Sequence, residues 1–418
     1  MSTGQSCEAA MKASLATLAP RCPAAKLTEL VALVDSTMLE STRYYHHLTH
    51  ALMVGGSNDP LDMLVGLFHD LIQVNVDQGL APAARAQLEG MIHSPAPLSY
   101  ALIDSPSTRS DRTFEMVRMM FGLAPGQTLS PFGGQNEFLS ALAAAKALAS
   151  VLDEADIVAV TLAIEATVHF RKDNADVPRA SLHKLAMLNE HFALGLSENA
   201  LSAQVHRSVR LANRDVCSFG SDDLIALLDD TWDLMLESSP DLRRTEGAGL
   251  TRYRQTLHRM THVLGSLTAP VIYRQFDSEP DAANFEALTL RTARNIAAIR
   301  SIMHCKLLAT SLLEAAAASA EAQFLPKRHA LAGVAGIGAR VEPAMLPVLA
   351  VGSDAVVEFD IRQSPLSYAI AASMTASTIE RCLQGLDPVA PVPGSLLAMV
   401  PEKISAQARV LAGSMIRG

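Results

Sequence analysis

Residues 61–72 read LDMLVGLFHDLI, preceded by Asn58-Asp59-Pro60. Apolar side chains fill almost every position up to Phe68. The stretch therefore predicts a helix buried all round, not an amphipathic surface helix. Asp59 suits the N-cap and Pro60 the first turn. His69 and Asp70 stand at the far end. An imidazole and a carboxylate at the end of a buried helix are costly unless something pairs with them. A divalent cation would offset that cost, as would a His–Asp hydrogen bond or an exposed helix end. The dipeptide alone does not choose among these.

Working outward, the pattern stays helical. Residues 26–40 (KLTELVALVDSTMLE) carry apolar side chains at helical spacing. Residues 43–54 (RYYHHLTHALMV) read as one helix, which would set His46 and His50, four apart, on a common face. Further helices are predicted over 136–152, 154–169, 180–195, 198–214, 223–237 with Asp222 as cap, 250–266, 283–316 and 367–384. Weaker helical signals over 82–104 are interrupted by Pro95 and Pro97. FGLAPGQTLSPFGG (121–134) reads as a loop, and VLAVGSDAVVEFDI (348–361) has some strand character. Abundant Ala, Leu and Met favour helix throughout, so the expected fold is all-α. PLSYAL (97–102) and PLSYAI (365–370) are too short an echo to be a repeat. DSEP (277–280) is the best linker. The expected organisation is an N-terminal extension (1–24), a helical domain (25–276) and a mainly helical C-terminal region (281–418).

The net charge of −9 and the lack of a Lys/Arg-dense stretch argue against an extended nucleic-acid partner. The five cysteines Cys7, Cys22, Cys217, Cys305 and Cys382 are scattered, without a CxxC pair, which points to a reducing cytoplasm rather than a disulfide framework. The N-terminus lacks the apolar core of a signal peptide. No run of about 18 uncharged apolar residues occurs, so no membrane partner is expected. The chain has no GxGxxG, no Walker lysine loop and no GxSxG elbow, so nothing points to dinucleotide binding or serine hydrolysis.

A third element, Leu211-Ala212-Asn213-Arg214-Asp215, completes an ordered set: His50, then His69-Asp70, then Asp215. Two imidazoles and two carboxylates form a nitrogen/oxygen ligand set suited to Mn, Mg, Fe or Zn. A cation held there would lower the pKa of a bound water toward neutrality. His258 and His262 form a separate HxxxH pair, which could hold a second metal or divide between solvent and core.

The order His50, His69-Asp70, Asp215 resembles the HD superfamily of metal-dependent phosphohydrolases, with an HD-domain-like helical core. The local sequence Tyr45-His46-His47-Leu48-Thr49-His50-Ala51, with Val54 following, is similar to cyclic-nucleotide phosphodiesterases. That likeness implies His50 as first metal ligand and His46 as the acid that protonates the leaving oxygen. His47 stands where those enzymes have Asn, and Gln73 where they have a further His. A second resemblance is to small HD-domain proteins. It rests on Arg43-Tyr44-Tyr45-His46, on Asn136-Glu137-Phe138-Leu139-Ser140-Ala141 and on Ala166-Thr167-Val168-His169. It implies that Glu137 and His169 orient the attacking water or hold a second metal. Structurally, Glu137 could instead complement a helix N-terminus and His169 end its helix. The resemblance covers roughly residues 25–240 and says nothing of 281–418.

Arg43, Lys146, Arg171, Lys172 and Arg214 flank these elements. Arg43 and Arg171 are the better candidates for substrate phosphate, and Arg214 is expected to pair on the surface. The resemblance thus implies hydrolysis of a nucleotide-like phosphoester or phosphodiester by metal-bound hydroxide, with one divalent cation and room for a second. Catalysis would fall to His46, Asp70, Glu137 and His169, and the metal to His50, His69, Asp70 and Asp215. Two other readings stay open. One is a degenerate HD scaffold that binds a ligand or partner, with a homodimer formed through its helical regions. The other is an HD-type di-iron oxygenase.

Overall fold

The computed structural model describes residues 3–39, 42–56, 58–131, 133–170, 176–239, 250–321 and 365–417. The fold is all-α, and its one sheet among the described residues is a two-stranded hairpin. The chain forms two compact units. The first comprises Met1–Cys217 and Thr268–Leu290, the second Ser218–Leu267 and Arg291–Gly418. These boundaries differ from those expected. Residues 218–267 belong to the second unit, and 277–280 lies inside the first, where Phe276 and Glu279 exchange backbone hydrogen bonds. Residues 1–24 are no appended extension either. Cys7, Met11 and Leu15 of α1 (Thr3–Leu18) are buried in the first unit's core.

In the first unit α1 is followed by α2 (Ala24–Met38), α3 (Leu48–Gly55), α4 (Pro60–His69) and α5 (Pro82–Gln87). After the hairpin come α6 (Pro106–Ser110), α7 (Arg112–Met120), α8 (Gln135–Leu148), α9 (Glu154–Ala166), α10 (Val177–Phe192) and α11 (Glu198–Asp215). The centre is built from α4, α8 and α9, which pack on one another. Every residue of α9 from Ile157 to Ala166 is buried. Ala141, Ala143, Ala144, Ala145 and Ala147 make α8 slim enough for its neighbours to approach closely. α4 behaves as its sequence predicts. Asp59 caps it, accepting from the N–H groups of Leu61 at 2.8 Å and Asp62 at 3.2 Å, and Pro60 fills the first turn.

The helix predicted over 43–54 starts only at Leu48. His47 is its N-cap, with extended backbone, and its Nδ1 accepts from the His50 N–H at 3.2 Å. His46 therefore lies in the preceding turn and not on the helical face of His50. α3 crosses α4 at a contact that only glycine permits. A methyl group on Gly66 would collide with the backbone of Gly55 and the carbonyl of Ala51. This close approach brings His50 of α3 toward His69 of α4.

The weak helical signal over 82–104 resolves into α5 and a hairpin, β1 (Ile92–Ala96) and β2 (Ser99–Leu102). Pro95 and Pro97 lack the N–H that a helix interior needs. The strands pair with a register shift between His93 and Ala96, and Leu98 turns the chain with φ of 57°. PLSYAL thus ends in a strand, whereas its near-copy at 365–370 is helical. Tertiary context decides the conformation of each copy.

The second unit contains α12 (Leu224–Ser238) and α13 (Leu250–Ser266). The short α14 (Ala269–Ile272) lies in the first unit's returning segment. α15 (Ala282–Glu321) begins in the first unit and continues through the second. Helices Pro365–Ser373, Ala376–Leu383 and Glu402–Arg417 follow. Asp223, not Asp222, caps α12 through the Ala226 N–H. Trp232, Leu257, Ile299, Met303, Leu308, Leu312 and Ile404 form part of this unit's own core. Residues Ala282–Ser319 are long and apolar enough to cross a membrane by length and composition, and 67% of their most apolar window is buried inside the protein. The strand-like stretch 348–361 lies outside the described residues.

Candidate metal centre

Four side chains from three helix ends converge in the first unit. His50 projects from the first turn of α3, His69 ends α4, Asp70 is its C-cap, and Asp215 ends α11. One ligand atom from each lies within 4.8 Å of all the others. His50 Nε2 is 2.9 Å from Asp215 Oδ1 and 3.5 Å from Asp70 Oδ2. His69 Nε2 is 2.8 Å from Asp70 Oδ2 and 3.4 Å from Asp215 Oδ1. Ligands at right angles around a cation with bonds of about 2.1 Å stand about 3.0 Å apart, so these separations match the edges of a coordination sphere. His69 Nε2 and Asp70 Oδ2 are buried and face each other as an ion pair, but neither has a partner in hydrogen-bond geometry. Two buried polar atoms held together without that geometry, with a nitrogen and an oxygen ligand beside them, suit a divalent cation. The four residues fit a metal ion, and the donor set leaves its identity open.

The carboxylates dominate the electrostatics. Burial disfavours the charged form of His50, but hydrogen bonds and charge from Asp215 and Asp70 outweigh it and raise its pKa to about 9. His69 is likewise pushed down by burial but held well above its ordinary value by Asp70 and Asp215. Burial also favours neutral Asp70, yet His69, His46 and His50 hold it well below the usual carboxylate range. Asp215 is lowered in the same way, by His169, His50 and His69. Two imidazolium and two carboxylate groups then balance, and a cation takes the place of two protons.

The surroundings fix each ligand. His69 Nδ1 donates to the Gly66 carbonyl at 2.8 Å, turning Nε2 toward the centre. Gln73 Nε2 donates to Asp70 Oδ1 at 2.8 Å, and the Asn136 amide donates to Gln73 Oε1 at 2.8 Å. Asn136 Oδ1 in turn accepts from the Val74 N–H at 3.1 Å. This chain of amides ties α8 to the turn after α4 and leaves Asp70 Oδ2 for the centre. His169 Nε2 meets Asp215 Oδ2 at 2.9 Å. Burial lowers the pKa of His169 despite Asp215, so its neutral ring donates from Nε2 and carries a buried, unpartnered lone pair on Nδ1. It orients Asp215 and is not one of the four convergent ligands.

Three arginines hold the frame. The buried Arg43 uses all five guanidinium donors. Nε and Nη2 reach the two Asp77 oxygens at 2.8 and 2.6 Å. Nη1 reaches the carbonyls of His46 at 3.1 Å and Asp70 at 2.6 Å, and Nη2 also reaches that of Leu71 at 3.0 Å. Its expected phosphate role is therefore corrected: with no donor to spare, it stitches the His46 turn to the His-Asp turn. Arg214, expected at the surface, binds the carbonyls of Val54 and Gly55 at 2.6 and 2.8 Å and Asp62 at 3.3 Å, locking α11 onto α3 and α4. Arg274 is buried and donates to the carbonyls of Ala166 and, at 2.7 Å, Val168, just before His169. Asn213 and Arg274 exchange two hydrogen bonds of 2.8 Å, fastening residues 268–290 to α11.

His46 lies beside the centre. Its ring is 6.1 Å from that of His50, edge-on, and its charge acts on Asp70. Tyr45 packs against both rings, at 4.9 and 4.7 Å. Glu137 is half-buried in the first turn of α8 and is not one of the convergent four. Arg171 and Lys172 lie outside the described residues. Sequence reasoning missed the supporting roles of Gln73, Asn136, Asn213 and Arg274. For Asn136 a signal existed in the Asn-Glu segment; for Arg274, more than 50 residues beyond Asp215, no local signal did. No family model, no curated protein and no solved structure matches the chain.

Proposed function

We propose that the first unit is a metal-dependent hydrolase of the HD type, acting on a phosphoester or phosphodiester of nucleotide-like character. The observation that carries this reading is the convergence of His50, His69, Asp70 and Asp215 on one point, with His69 Nε2 and Asp70 Oδ2 buried and outside hydrogen-bond geometry. A divalent cation bound there would lower the pKa of a coordinated water and polarise a phosphoryl oxygen. His46, its ring 6.1 Å from that of His50, would serve as the acid that delivers a proton to the leaving oxygen. Arg43 grips the His46 carbonyl and so fixes the turn that carries this acid. A single metal is the better supported reading, because the four convergent ligands frame one point while the second oxygens of Asp70 and Asp215 are engaged by Gln73 and His169.

The test compares hydrolysis of bis(p-nitrophenyl) phosphate by wild type and Asp70→Ala after reconstitution with Mn, Mg, Fe or Zn. Multiple turnovers in wild type and their loss in the variant support hydrolysis. Metal binding without turnover supports the degenerate binding scaffold instead, and equal rates in both proteins contradict the proposal.

A further inference from the structure

The second unit contains a cavity of about 410 Å3 that the proposed hydrolase does not use. Its size falls within the range of small-ligand sites. Two ladders of nitrogen-bearing side chains line it. His258 and His262 lie four apart on α13, and Arg300 and His304 lie four apart on α15. This gives the HxxxH pair a setting, since the two histidines share a wall with a guanidinium.

Arg300 is the unusual member. It makes no hydrogen bond or ion pair with the described residues, and its Nε is buried without a partner. It lies along Gly265, its guanidinium about 3.7 Å from where a Cβ would sit. The other arginine of the wall, Arg254, is neutralised by Glu314 at 2.8 Å and donates to the carbonyls of Asp387 and Ala390. It builds the floor and leaves Arg300 as the cation to be matched. Among the described residues no carboxylate lines this cavity. Besides Glu314, acidic groups beside it are Asp387, which acts on His258, and Glu380, 4.0 Å from His304 in an adjoining cavity of about 260 Å3 that shares Arg300 and His304. Burial, with the neighbouring cations, pushes His258 and His304 down, so both are neutral imidazoles able to donate.

We propose that this cavity binds a small phosphoryl group, free or at the end of a compact ester, in a site independent of the metal centre. A tetrahedral oxyanion can meet Arg300 on one side and imidazole N–H groups on the other. A planar carboxylate would engage only the guanidinium edge.

The experiment is calorimetric titration of the full chain, stripped of metal with EDTA, using inorganic phosphate and phenyl phosphate as probes. The expected result is saturable binding of at least one probe that Asp70→Ala leaves unchanged. Arg300→Gln, which breaks no hydrogen bond, is expected to weaken it at least about tenfold, and Arg300→Lys to weaken it less. Circular dichroism checks that both variants are folded. Equal affinity in wild type and Arg300→Gln, loss of binding in Asp70→Ala, or no binding of either probe would overturn the proposal.

Discussion

Gln73 Nε2 donates to Asp70 Oδ1 across 2.8 Å and leaves Oδ2 to face His69 at 2.8 Å. The amide of Gln73 thus steers a ligand carboxylate toward the centre. Partners of this kind set the orientation of a coordinating carboxylate, and losing one typically costs 10–100-fold in metal affinity. Gln73→Leu is predicted to weaken metal binding by roughly that factor. Chelator competition measures this directly, and excess metal should restore whatever activity is lost. Undiminished affinity would mean that Asp70 is held by the backbone alone.

Arg43 is predicted to act as a clamp and not as a substrate contact. Arg43→Met strands the Asp77 carboxylate and three carbonyls, so it should cost about 3–5 kcal/mol of stability. Chemical denaturation of the metal-stripped protein checks the loss. A phosphate-binding arginine would instead raise KM while leaving unfolding unchanged.

Much of the centre was legible because its four ligands sit in short segments that are unusual for their surroundings. His69-Asp70 closes an apolar run, with His50 before it and Asp215 after it in a recognisable order. His169, flagged on a three-residue likeness, does reach the site, as the partner of Asp215. What sequence could not supply was the use of each arginine. Arg43 looks like a cation available for phosphate and Arg214 like a surface partner, yet both spend donors on carbonyls that approach only in the folded chain. The helix predicted over 43–54 failed for a local reason. His47 caps the backbone that a longer helix would have needed. The unit boundaries were hidden because residues 268–290 return to the first unit through Asn213 and Arg274, a contact with no periodic signature.

The ionisation of the centre predicts opposite pH trends with and without metal. His50 has its pKa raised from 6.5 to about 9. In metal-stripped protein its contribution to stability is complete below 6.5 and is lost as pH rises through about 9. Asp70 and Asp215 are lowered, so their contribution holds above 3.8 and fails only in stronger acid. The stripped protein should therefore lose Tm between about pH 6.5 and 9. Metal affinity should rise over the same window as protons leave His50 and His69. Thermal melts across that range, with and without Zn or Mn, check both trends. A parallel pair of curves would contradict them.

The central claim is that His50, His69, Asp70 and Asp215 hold one divalent ion. Metal content per chain, measured by inductively coupled plasma mass spectrometry after reconstitution and desalting, tests it most directly. Close to one ion is expected in wild type and in His169→Ala, and next to none in Asp70→Ala or Asp215→Ala. No bound metal in wild type, or undiminished metal in Asp70→Ala and Asp215→Ala, would contradict it.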